Sequence, residues 1–504
     1  MPESRDPHRL QHAIEPVFRL NKVVGVFAIM ASAVAGEYGA GINFVAVQSL
    51  SVYPSIRDLV PLAMFVTGAF LITKVYLFSR YSQAMPRAGS AYVWMVRSLN
   101  LPIGFIASFV FWLGYIGGMG FLAFAFGTFG GQALLNAGMP AGRWFLTPNG
   151  HVLIGLAAIW LIYALHIRGV QHYGTFVNAL FGLIVATAFT ITIYGFATAP
   201  GHFVSIARQR THLPLLSQIP LPPLSTHVFF AVCALFIFAY AGISAAPYLG
   251  GEARQAEHTV PQGIVLGWIV SIILYTVVAA ALFHAAPYWA VIGLIKGKHA
   301  ALATAPGLIG VVAPHIVGVT LEILVALIVG KTIAPGMLVN SRILFAWAED
   351  HLMPSIFAET NRHRVPAAAL TGVAILASLF LLQTAYVGWA LGVVMRSLST
   401  ILIWLLVAVS ALALRFNRRF ESVDWAATLR RDPWTLIAAA ASIIISVVLM
   451  FSIAVVPHTP IVFQPLFQGA VAVVVAWALL RRARQQAQRL NFDLDAHVEL
   501  PPLD

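Results

Sequence analysis

Val34-Ala35-Gly36-Glu37-Tyr38-Gly39-Ala40-Gly41-Ile42-Asn43 lies inside the first long apolar run of the chain and is poor helix material. Glycine in a helix interior costs about 1 kcal/mol relative to alanine, and here three glycines surround an acid. Backbone released from a helix inside hydrocarbon finds no water, so a break at this depth must line a cavity within the protein. The ends of such half-helices present unpaired N–H and C=O groups, which suit a ligand's carboxylate and ammonium. Small residues also permit close helix packing, the simplest reading of Gly114-Tyr115-Ile116-Gly117-Gly118. Glu37 argues against packing alone, because an acid among packing glycines needs a partner.

The composition around this stretch is that of a membrane protein. Of 504 residues, 60% are hydrophobic and only 10% charged, against roughly 25% charged in a soluble chain. A spanning helix needs roughly 20 mostly apolar residues. Candidate spans begin near Val23, Leu59, Ile103, Val152, Phe176, Val228, Ile264, Ile316, Ala367, Val387, Trp434 and Ile461. The expected fold is therefore an all-α integral membrane protein of about twelve transmembrane helices. A β-barrel is excluded because the runs do not alternate with period two.

Lysine and arginine set the orientation. An even number of spans puts both termini on one side, and that side carries most of the 30 Lys+Arg. Arg5, Arg9, Arg19 and Lys22 precede the first span. Arg415, Arg418, Arg419, Arg430 and Arg431 fill one loop, and Arg481, Arg482, Arg484 and Arg489 begin the tail. Both termini are expected in the cytoplasm. The net charge of +12 reflects this bias and contact with anionic membrane lipids. The basic residues form no basic domain, so nucleic-acid binding is not expected. Arg19 and Lys22, an apolar stretch and Ala31-Ser32-Ala33 imitate a cleavable signal peptide. Cleavage would leave an odd span count and reverse the charge bias of every later loop, so the segment is read as retained. The single cysteine, Cys233, allows no internal disulfide or thiolate metal cluster. The proline-rich segment from Thr198 to Thr226 is read as an extracellular loop, and the polar tail after Arg484 as disordered.

The sixth span carries a second interruption, Phe238-Ala239-Tyr240-Ala241-Gly242-Ile243-Ser244-Ala245-Ala246-Pro247. Breaks in spans one and six are what two inverted five-helix repeats would give. The long segments Ser79–Asn100 and Pro287–Pro314 also correspond, on opposite membrane faces as inversion requires.

These features together resemble the amino acid–polyamine–organocation transporter superfamily, from about Leu20 to Arg484. Gly39-Ala40-Gly41-Ile42 resembles its first-helix glycine motif. Met85-Pro86-Arg87-Ala88-Gly89-Ser90-Ala91-Tyr92-Val93-Trp94, followed by Arg97, resembles the stretch before helix three. Glu252 to Pro261 resembles the acid-to-proline loop after helix six, and Ser341 to Asp350, then Pro354, the end of helix eight. Each motif is weak alone; the four in order are specific. The resemblance implies a five-plus-five inverted repeat with discontinuous helices 1 and 6 and two extra helices. The chain would divide into a cytoplasmic tail (1–20), two repeats (21–198 and 227–415), two further helices (433–481) and a second cytoplasmic tail (482–504).

By the same resemblance the backbone of Gly39, Ala40 and Gly41 would bind a substrate carboxylate. The carbonyls of Ala239, Tyr240 and Ala241, beside Gly242, would face the ammonium. Phe238 would be an aromatic gate; Gly114, Tyr115, Gly118 and Ser397 would line the pocket. Three departures matter. Ser244 stands where many relatives place a glutamate, and Glu37 stands at a commonly aliphatic position. No lysine occupies the fifth span, where some proton-driven relatives carry one; Lys331 lies in the eighth.

Ionisable residues at membrane depth are functional candidates. Glu37 could receive a substrate ammonium or carry a coupled proton, or it could pair structurally with Lys331 or Arg396. Lys331 could replace a sodium ion with a tethered charge, or form a static salt bridge. Arg396 could meet a substrate carboxylate or neutralise Glu37. Glu322 lies nine residues from Lys331, on the opposite helix face, and is read as structural. Lys74 is read as snorkelling near a helix end. His166 and His172 could sense pH, but they are read as interfacial. Trp112, Trp289, Trp389 and Trp434 are read as packing or anchoring residues. His284, His315 and His351 are too scattered for a metal site.

The expected function is secondary active transport of an amino acid across the cell membrane, proton-coupled or by exchange. A polyamine or other organic amine is the alternative, and a transporter-like receptor without flux is a third reading. An enzyme is not expected, because the spans hold no His-Glu-x-x-His, Gly-x-Ser-x-Gly or aspartate pair. No Gly-x-x-x-x-Gly-Lys loop exists to hold ATP. No cofactor is expected.

Overall fold

The computed structural model describes residues 24–85, 89–417, 420, 424–453, 455–456 and 459–499. Arg5, Arg9, Arg19, Lys22, Pro86, Arg87, Ala88, Arg418 and Arg419 lie outside the described residues, as does the side chain of His172. The described chain is all helical. Apart from an isolated bridge between Val24 and Ala253, it contains no β pairing.

The first span is broken where its glycines predict. Helix α1 (Val26–Glu37) stops as Tyr38 turns extended, at φ −70° and ψ 96°. The chain resumes as a π-helical turn (Gly41–Val45) and α2 (Ala46–Val52). A 3-10 turn (Pro54–Leu59) leads into α3 (Val60–Ala84), then α4 (Ala91–Ser98) and α5 (Leu101–Asn136). Helices α6 (Pro148–His166), α7 (Val170–Ala197) and α8 (Pro200–Thr211) follow. The next segment repeats the pattern: α9 (Thr226–Phe236) gives way to a 3-10 stretch (Ala241–Glu252) holding Pro247. Then come α10 (Ala256–Ala285), the short α11 (Tyr288–Lys296) and α12 (Ala305–Val312), and α13 (His315–Glu349). Helices α14 (Ala367–Tyr386), α15 (Trp389–Phe416), α16 (Asp424–Arg430), α17 (Pro433–Ile453), α18 (Pro465–Arg489) and α19 (Leu494–Glu499) follow among the described residues.

Nine helices among the described residues are long and apolar enough to cross a membrane. Phe181–Ala197 and Pro200–Thr211, bent by 101°, would make a tenth span if counted as one. The two interrupted segments fall short because each is cut in half, so the expected figure of about twelve requires counting them as spans. The longest helix, α5, is the hub: α6, α13, α14 and α15 all pack on it. Its glycines permit this. A methyl group at Gly120 would lie 2.5 Å from the Phe380 carbonyl carbon on α14.

Three sequence expectations are corrected. Lys74 does not snorkel; it is 1% exposed and points into the bundle. It lies ten residues before the end of α3, about 15 Å from that end at 1.5 Å per residue. The segment after Thr198 is not all loop, since Pro200 starts α8 from the N1 position that proline favours. The tail after Arg484 is ordered through Glu499: α18 runs on to Arg489, and Arg484 Nη2 meets Asp495 Oδ1 of α19 at 2.7 Å.

Candidate functional site

The two breaks cross each other with their backbones nearly touching. A methyl group at Gly242 would lie 2.4 Å from the carbonyl carbon of Gly36 and 2.6 Å from Glu37 N. At Gly41 it would lie 2.5 Å from Ala239 Cα. Only glycine allows two backbones so close. Beside this crossing lies a small, partly open cavity. Its walls include Gly36, Glu37, Ala40 and Gly41 from the first break, and Phe238, Ala241 and Gly242 from the second. Tyr115, Gly118 and Leu122 of α5, Thr332 of α13 and Arg396 of α15 complete its lining.

Among the predicted site residues, Glu37, Ala40, Gly41, Tyr115, Gly118, Phe238, Ala241, Gly242 and Arg396 therefore share one cavity. Gly39 lies against Thr332 instead. The Ala239 carbonyl accepts a hydrogen bond from Tyr275 Oη at 3.1 Å. The Tyr240 hydroxyl turns away to Met64 O at 3.1 Å, and Ser397 Oγ donates to Leu235 O at 3.3 Å. Phe238 packs edge-on against Phe121, with centroids 5.2 Å apart. Phe121 in turn meets Phe44 and Trp389, which makes an aromatic group on the Asn136 side of the cavity.

The structural pairs that the sequence left open for Glu37 do not form. Glu37 Oε1 accepts from the Ile243 N–H at 2.9 Å, which closes one orphan donor of the second break. Lys331 Nζ donates to Ala35 O in the last turn of α1 at 2.7 Å. Neither a Glu37–Lys331 nor a Glu37–Arg396 ion pair forms, because each group serves a helix break. The cation set against Glu37 is Lys74. Its Nζ donates to Ser244 Oγ at 2.8 Å, one residue beyond Ile243, and its charge acts on both Glu37 and Arg396. Arg396 extends across the cavity wall. Its Nη2 donates to Ala241 O at 3.1 Å, and its Cζ stands 3.3 Å from the Tyr115 ring centroid and 5.0 Å from that of Phe111. Gly118 makes room for the stem, since a methyl there would be 3.0 Å from Arg396 Cβ. Glu322 is buried as well.

The sequence pattern of the amino acid permease family matches residues 22–477. The chain belongs to the amino acid permease family. This permease is 23% identical to a branched-chain amino acid permease of Lactococcus lactis, over 67% of this chain and 70% of that protein. It is 23% identical to a probable amino-acid permease of Schizosaccharomyces pombe, over 87% and 77%. It is 25% identical to a vacuolar cationic amino acid transporter of Arabidopsis thaliana, over 79% and 60%. The family is one of transporters, not enzymes. Gly36, Leu122, Thr332 and Lys74 were not anticipated as site residues. For Lys74 the signal was its depth in a long apolar helix; for Thr332, its place next to Lys331.

Proposed function

We propose that this permease carries an amino acid across the cell membrane by alternating access around the cavity between the two breaks. The cavity's wall is the supporting observation. It is built from both interrupted helices, with Glu37 and Arg396 set into it at membrane depth. Ionisable groups so placed mark solute pathways, and the midplane between repeats is where such transporters bind cargo. The charge bias of the loops favours cytoplasmic termini.

Coupling falls to Lys331 in this reading. Its ammonium sits on a C-terminal carbonyl of α1, where the helix dipole favours a cation. A tethered cation there does the work of a bound sodium ion, and its proton can come and go as α1 moves. Glu37, bonded to the second break, is the other candidate for proton exchange.

The test is purified protein in liposomes, given a proton gradient and then a sodium gradient, with labelled amino acids and polyamines outside and exchange substrates inside. Uptake or exchange of an amino acid is expected. If no compound is taken up or exchanged under any gradient, the transport reading fails, and binding without flux would favour a receptor.

A further inference from the structure

We infer that Ser271 positions the exchangeable proton of Glu37. Protonated at Oε2, the carboxyl donates to the Ser271 hydroxyl; ionised, it accepts from that hydroxyl. The inference rests on the transport reading above, in which Glu37 is a candidate for proton exchange, and it names the partner of that proton.

Packing register brings the two side chains together. Helix α10 lies on α1 through small residues four apart. A methyl group at Gly263 would lie 2.5 Å from Ile29 Cγ2, and one at Gly267 2.9 Å from Ala33 Cβ. Residues four apart share a helix face, so the next step sets Ser271 against Glu37, and its hydroxyl is the side-chain donor turned to that carboxyl. Both residues are buried, Glu37 at 3% and Ser271 at 1% exposure. Glu37 Oε1 takes the Ile243 N–H, whereas Glu37 Oε2 and Ser271 Oγ are without a hydrogen-bond partner. Buried polar atoms are costly when left so, and a bond between these two serves both. Ser271 also withholds its hydroxyl from the carbonyl four residues back, the bond that Thr67 and Thr187 make on their own helices.

The other neighbours are turned elsewhere. The Tyr240 hydroxyl donates to Met64 O and the Tyr275 hydroxyl to Ala239 O. A hydroxyl whose proton is committed in this way can accept from Glu37 but cannot donate to it. Ser244 Oγ is turned to Lys74, and the Tyr38 hydroxyl faces Asn43. The Ile243 N–H only donates, which suits the oxygen that stays bare. A serine hydroxyl donates and accepts, so Ser271 serves Glu37 in either charge state. When a proton reaches Oε2 an O–H bond forms there, the hydroxyl changes from donor to acceptor, and the Ile243 N–H stays on Oε1. Among the described residues, the charged and titratable groups around Glu37 are Lys74 of α3, Tyr240 of the second break, Tyr275 of α10 and Tyr38. Lys331 of α13 sits two residues away on Ala35 O, Arg396 of α15 shares the cavity wall, and α7 meets α1 through Phe181 on Phe27.

The experiment is uptake against pH in proteoliposomes, with labelled L-leucine, L-arginine and L-glutamate, followed on whichever the wild-type protein moves fastest. Ser271→Ala removes a donor whose bond to the carboxylate is stronger than its bond to the neutral acid. The midpoint of the pH profile should therefore move up by about one unit, tenfold in proton concentration. In Glu37→Gln protein, Ser271→Ala should move nothing further. Infrared difference spectra of the purified protein give a second readout that needs no flux. A carboxylic acid C=O band should appear in acid, be absent from Glu37→Gln and be shifted by Ser271→Ala. An unmoved midpoint, an unshifted band or a shift that persists without Glu37 each overturns the inference and leaves the transport reading standing. So does wild-type uptake that is independent of pH. If the wild-type protein moves none of the three amino acids, both fall.

Discussion

Replacing Lys74 by methionine should cripple the protein, and removing Glu37's charge in the same molecule should partly restore it. The two groups are anchored on consecutive residues: Glu37 Oε1 on Ile243 N at 2.9 Å, and Lys74 Nζ on Ser244 Oγ at 2.8 Å. Consecutive Cα atoms are about 3.8 Å apart, so the two charges lie on the order of 7 Å from each other. With an effective dielectric constant of about 20, that separation gives about 2 kcal/mol of attraction. The hydrogen bond from the ammonium to Ser244 adds about 1.5–3 kcal/mol. Lys74→Met should therefore cost about 3–5 kcal/mol, the usual cost of stranding one partner of a buried pair. Glu37→Gln in that background should recover about 2 kcal/mol, because a neutral amide needs no counter-charge. The measurement is a double-mutant cycle on unfolding in mixed micelles, with Lys74→Met, Glu37→Gln and the double variant. Strictly additive losses, or a Lys74→Met protein as stable as wild type, would refute the pairing of Lys74 with Glu37.

Gly242→Ala should abolish uptake while helix content by circular dichroism is retained, since its methyl would lie 2.4 Å from the backbone of Gly36; wild-type kinetics would sink the close-crossing account. Lys331→Gln loses a charged hydrogen bond to Ala35 O, worth about 1.5–3 kcal/mol. It should lose gradient-driven uptake while keeping counterflow, and a variant that still concentrates substrate would remove Lys331 from coupling. Gly118→Ala should raise KM with little change in melting temperature, because its methyl presses on the arginine stem at 3.0 Å; an unchanged KM would argue against the slot. Asp432, at the start of α17, offers a pH test. Burial opposes its charge, but hydrogen bonds from Tyr76, Thr435 and the Trp434 N–H, with the Arg80 charge, hold its carboxyl below the usual range. A depressed folded pKa means stabilisation that is present above about pH 4 and lost as pH falls through the folded value. The melting gap between wild type and Asp432→Asn should hold from neutral pH down to about pH 5, then close under stronger acid; a gap that stays constant to pH 3 would contradict this.

The breaks were legible because their cause is local. Gly36, Gly39 and Gly41, and later Gly242 and Pro247, oppose helix by their own chemistry, whatever surrounds them. The partners of the buried charges were not legible, because they are fixed by contacts far apart in sequence. Glu37 meets Ile243 across 206 positions, and Lys74 meets Ser244 across 170. Nothing near Glu37 in the chain indicates that its cation comes from α3 and not from α13 or α15. The tail erred for another reason: polarity was read as disorder, although Ala, Gln and Arg between Arg481 and Arg489 are strong helix formers. Ser244 shows the two kinds of reading meeting. From the sequence it marked a missing glutamate in the second break, and in the fold it is where Lys74 binds.

The two lysines are used alike. Each belongs to an uninterrupted helix, Lys331 to α13 and Lys74 to α3, and each reaches a broken one. Lys331 holds the carbonyl end that the first break exposes, and Lys74 holds the 3-10 stretch of the second. Breaking a helix in a membrane leaves backbone groups that need partners; Lys331 satisfies one of them, the Ala35 carbonyl, without filling the gap, and Lys74 holds the second break through the Ser244 hydroxyl. Such a hold also makes the joint conditional. A carbonyl bonded within its own helix stays bonded as that helix moves, whereas one held by a lysine lets go when the two helices part. Glu37 adds the reciprocal tie, from the first break to the backbone of the second. In the proposed transport cycle a broken helix held this way would take two arrangements, with the charge state of Glu37 and the lysines biasing the choice between them. That is the property the proposed alternating access requires of Glu37 in the cavity wall and of the lysines that hold the two breaks.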